Sequence, residues 1–172
     1  MSKDELMEAK IIDCLYKAFT QDSSKNLLFN ENLIQIALFC LEYCKDISID
    51  VKRKMARLIS VSTLIQERLM KKEIIMGISH LLEHKEELQM LNHTVLALSH
   101  MSMNNSFSSS PLSNEIMKKL IEIIPIFKGK DLYILLITIS KLMDGRDDNV
   151  KIFHESNPNY LKPLIQKAME DK

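Results

Sequence analysis

Three segments of this chain share one pattern around a serine, and that recurrence constrains the fold more than any other feature. They are Leu58-Ile59-Ser60-Val61-Ser62-Thr63-Leu64, Val95-Leu96-Ala97-Leu98-Ser99-His100-Met101 and Leu136-Ile137-Thr138-Ile139-Ser140-Lys141-Leu142. In each, apolar residues stand four, three and one before the aligned serine and two after it. Ser62, Ser99 and Ser140 lie 37 and 41 residues apart. A helix hairpin cannot bury its apolar faces alone. Stacked copies cover one another, so a stack needs the same pattern in every unit. The small serine suits a crowded helix crossing.

Apolar residues recur at three- and four-residue spacing along nearly the whole chain, which predicts helix throughout. The expected helices are Lys3 to Thr20, Glu31 to Cys44 behind Asn30 as cap, and Val51 to Gln66 behind Ser48 or Asp50. Next come Leu69 to Glu83, with Gly77 marking a close approach or a break, and Glu86 to Met103. After Asn104 to Ser110, a serine-rich stretch expected to be a mobile loop, Pro111 and Ser113 open a helix that runs to Ile124 or Phe127, with Ser113 or Asn114 as its cap. Pro125 should kink or end it. Leu132 to Met143, a short helix from Asp147 or Asp148 to Glu155, and a last one from Asn157-Pro158 to Met169 complete the set. Only three glycines and four prolines occur, too few for the turns of a sheet protein of 172 residues.

Lys+Arg and Asp+Glu both number 23, so the formal net charge is zero. That balance argues against nucleic acid, whose binding domains are usually strongly basic, and against a polybasic membrane contact. No apolar run approaches the ~18 residues of a membrane span. Met1 to Glu5 is charged and lacks an apolar signal core. Cys14, Cys40 and Cys44 have no CxxC spacing and read as buried thiols in a reducing compartment, hence a cytoplasmic or nuclear protein.

Chemistry-bearing constellations are thin, so an enzyme is not expected. His80 and His84 are four apart on one helix, but His-Leu-Leu-Glu-His lacks the glutamate beside the first histidine that a zinc protease needs. His93 and His100 share a helix side without an assignable nucleophile. Gly77, Gly129 and Gly145 are isolated and form no phosphate loop, and Asp144 to Asp148 lacks the calcium-loop order. No cofactor or metal is expected. Lys52, Arg53, Lys54 and Arg57 form a local basic patch, either a solvated face or, in the alternative reading, the contact of an α-helical nucleic-acid-binding protein. Ser110-Pro111 is a common phosphorylation spacing.

Leu98-Ser99-His100-Met101 resembles the Leu-Ser-Asn-Leu motif of the last helix in an armadillo repeat. Asp148 to Ser156, followed by Tyr160-Leu161-Lys162-Pro163-Leu164-Ile165, is similar to that family's short first helix, turn and second helix. The likeness runs loosely over Asn30 to Met169 and is specific only near 91–103 and 148–168. It implies an all-α, armadillo-like right-handed solenoid of three to four short repeats, forming one domain over 1–172. Its approximate units are an N-terminal cap helix 1–28, then 29–68, 69–104, 105–146 and a partial unit 147–172. A HEAT-type stack is the neighbouring alternative. The family's asparagine after the serine is here Thr63, His100 and Lys141, and its tryptophan three before is Ile59, Leu96 and Ile137. An Asn/Trp ladder for nuclear-import signals is therefore not expected.

In such a solenoid the last helix of each unit lines the concave face. Positions seven before, three before and one after the serine share a helix side. They are Met55, Ile59 and Thr63; Asn92, Leu96 and His100; and Tyr133, Ile137 and Lys141. These residues are the expected binding face for a peptide or helix of another protein, with Leu96, Ile137 and Tyr133 as anchors. The competing expectation is that Ile59, Leu96 and Ile137 are core. Either end of the array must be capped or paired, so a homo-oligomer stays open beside the scaffold reading.

Overall fold

In a computed structural model, residues 10, 48–62, 72–108 and 110–156 are described. Among them the chain is helical and holds no strand. The helices are α1 (Ile49–Ser62), α2 (Lys72–Leu81), α3 (Leu88–Met101), α4 (Leu112–Ile123), α5 (Gly129–Met143) and α6 (Asp147–Glu155). A single helical turn, Asn105–Ser108, links α3 to α4, and the 3-10 turn Ile124–Ile126 follows α4. Apart from Lys10, the expected helix Lys3 to Thr20 lies outside the described residues, as do Glu31 to Cys44, Asn157 to Met169 and all three cysteines.

Helix ends follow local chemistry. The Ser48 carbonyl accepts the Lys52 N–H at 3.1 Å, the first bond of α1. Helix α4 opens at Pro111 as expected, but not with the expected cap. Pro111, whose missing N–H costs nothing there, stands at its cap position, and the Ser110 hydroxyl accepts the Leu112 N–H at 3.3 Å. Ser113 is buried instead. Pro125 ends α4 within the 3-10 turn. Gly145, at φ +67°, supplies the left-handed residue that stops α5 beyond Asp144. Gly77 is buried inside an unbroken α2, so it does not mark a break.

Packing partners alternate along the chain. Helix α1 lies against α3 and α3 against α5, while α2 lies against α4 and α4 against α6. Cross-links from α2 to α3, α4 to α5 and α5 to α6 tie the two series together. One continuous core runs from Val51 through Met90, Leu98 and Met117 to Leu142. The serine-rich stretch departs from expectation: its helical turn turns Phe107, 1% exposed, into that core. Burial of a whole aromatic side chain outweighs the polarity of the serines around it.

Several polar contacts join residues about one unit apart. Asn92 Nδ2 donates to Asp131 across 39 residues, Lys85 to Glu122 across 37, and the Ser79 hydroxyl to Glu115 across 36. These separations are close to the 37 and 41 residues between the aligned serines. Small residues keep the same register inside the stack. Ser60, Ala97 and Thr138, each two before the aligned serine, are all buried. So are Gly77, Ser113 and Asn149, spaced 36 apart in the other series. Two of the aligned serines do not fill a crowded crossing, since Ser99 is half-buried and Ser140 exposed; the Ser62 side chain lies outside the described residues. The small position falls two residues earlier, where side chains of one to three heavy atoms let packed helices approach.

Asn149 illustrates how a polar group is kept inside. Its amide nitrogen donates to the Leu142 carbonyl at 2.6 Å, near the C-terminus of α5, and to the Ser113 hydroxyl at 3.4 Å. Replacing it with Leu strips the buried carbonyl of that donor, at an expected cost of about 1–3 kcal/mol in a denaturant unfolding curve.

Candidate functional site

The expected binding face is placed unevenly across the three helices. On α1, Met55 and Ile59 are 0% and 4% exposed and belong to the core. Buried side chains offer no surface to a partner, so the face does not extend over α1 as expected. Thr63 lies outside the described residues. On α3, Asn92, Leu96 and His100 are half-buried. On α5, Tyr133 is 65% exposed, Ile137 half-buried and Lys141 exposed. What remains is a ridge over α3 and α5, since α3 packs against α5.

A hydrogen bond fastens this ridge at one end. Asn92 Nδ2 donates to the Asp131 carboxylate at 2.8 Å, joining α3 to the first turn of α5. Asn92 is therefore partly committed to holding the two helices together. The segment Leu88 to Met101 carries no Asp, Glu, Lys or Arg. The α3 part of the ridge is thus neutral, and Tyr133 and Ile137 make the α5 part amphipathic. Burial holds the His100 imidazole below its ordinary range. Burial does the same at His93, aided by the Arg57 cation.

The lowered histidines fix the sign of a pH effect. The unfolded chain binds protons at these sites before the folded one does, so stability is full above the ordinary imidazole range and falls as pH drops through the lowered values. Glu83 acts the same way further into acid. The Lys119 hydrogen bond holds its carboxyl below the usual range, and desolvation opposes this only in part. Urea midpoints measured from pH 8 downward should fall, and a His93→Gln, His100→Gln double variant should flatten the upper part of that fall. An unchanged slope in the variant would remove these two groups as its source.

The remaining constellations are engaged inside the fold. The Lys52 ammonium, on a residue only 8% exposed, donates to His84 Nε2 at 3.1 Å. Arg53 binds Glu87 at 2.7 Å and Asp50 at 3.3 Å. Lys52 and Arg53 of the Lys52 to Arg57 patch thus meet protein groups of their own chain. His80 faces Glu83 at 3.3 Å, while His84 meets Lys52 at 3.1 Å and Glu86 at 3.6 Å. Among the described residues no three His, Cys, Asp or Glu side chains group to hold a metal ion. No described helix is long and apolar enough to cross a membrane.

Lys119 is a feature that sequence spacing did not mark. It reaches from α4 to the Ser79 hydroxyl at 2.7 Å, the Ser79 carbonyl at 3.1 Å and Glu83 at 2.9 Å, with Glu115 at 3.4 Å. It braces α2 and its exit turn against α4. The partners stand 36 and 40 residues away, so only the repeat spacing could have suggested the pairing. Searches against protein-family models, curated proteins and solved structures give no match to the chain.

Proposed function

We propose that this protein is a helical-repeat scaffold of the armadillo-like or HEAT-like kind, holding a peptide or helix of a partner protein along α3 and α5. The observation that carries this reading is the exposure of Tyr133 on a helix side shared with Ile137 and Lys141, beside the neutral side of α3 bearing Asn92, Leu96 and His100. A tyrosine exposes a large rigid apolar ring with a polar tip, and such residues dominate binding energy at interfaces. The alternating packing and the shared register of small buried residues support the solenoid. In a solenoid, short units build an extended surface rather than a closed catalytic cavity. The engagement of Lys52 and Arg53 inside the fold weighs against nucleic acid as the partner.

The test is binding by variants that leave the core alone. Tyr133→Ala combined with Lys141→Glu should weaken capture of the partner by about tenfold or more. Lys151→Glu, on the exposed side of α6, should not change it. Circular dichroism of both should match the parent. Equal capture by all three proteins would place the binding surface elsewhere.

A further inference from the structure

We draw no further inference here: the strongest candidate, the Ser79–Lys119 pair between α2 and α4, sets a hydroxyl 2.7 Å from an amine as a nucleophile and base would stand, yet Glu83 and Glu115 bind the same ammonium, so the pair is the helix brace already described, and for the exposed α5 side nothing in the structure shows what covers it beyond the partner already proposed.

Discussion

Phe107→Ala is expected to destabilise the protein by about 3–5 kcal/mol, the range for emptying a fully buried aromatic site. The size of the effect follows from burial. Phe107 is 1% exposed and joins the core through a single helical turn, Asn105–Ser108. One turn has little stability of its own, because nucleation fixes several residues for one hydrogen bond. Removing the ring therefore releases the α3–α4 connection as well as opening a cavity. Met103→Ala, four residues earlier and 63% exposed, should change stability by no more than about 0.5 kcal/mol. Chemical denaturation of the two variants checks both values. Equal, small losses would mean that the connection is not packed and that the polar serines govern it.

Ala97→Leu is the second large effect. Ala97 is fully buried on α3, the helix that packs against both α1 and α5. Ser60 and Thr138 hold the equivalent small positions on those neighbours. Three extra carbons at the middle helix must push side chains off their rotamers or separate helices, costing about 1–3 kcal/mol or more. Ser140→Leu, at the exposed aligned serine, should be close to neutral. The contrast separates two locations for the crowded position. If Ser140→Leu were the damaging change and Ala97→Leu the mild one, the aligned serine would be the crossing residue after all.

These residues also show what can be read without coordinates. The helices between 49 and 155 were legible because apolar spacing of three and four survives in each, and Pro125 and Gly145 mark their ends. The crossing position lies two residues before the identical serine, which is the more conspicuous part of the pattern. The functional constraint is size, and Ser60, Ala97 and Thr138 satisfy it with three different residue types. Phe107 was hidden for the opposite reason: one aromatic in a polar run gives no periodicity, although its side chain is buried.

The candidate face was legible only as a register. Positions seven and three before the serine are chemically unlike on the three helices: Met55 and Ile59, then Asn92 and Leu96, then Tyr133 and Ile137. Spacing cannot tell which of these pairs another helix covers. The structure covers the first, half-covers the second and leaves Tyr133 open. In retrospect polarity was a partial signal, since Met55 and Ile59 form the only wholly aliphatic pair. Salt bridges such as Arg53 to Glu87 and Lys119 to Glu83 were not legible, because many opposite charges lie one repeat apart and few of them meet.

Site-specific photo-crosslinking tests the proposed binding ridge most directly. A photoreactive residue is placed at Tyr133 and, in a second protein, at Lys151 on the exposed side of α6. Each is irradiated in extract. A scaffold that holds its partner along α3 and α5 gives a discrete protein adduct at 133 that is absent at 151, and the adduct disappears when Lys141→Glu is added. Identical adducts at both positions, or none at 133 while the partner still co-purifies, would contradict it.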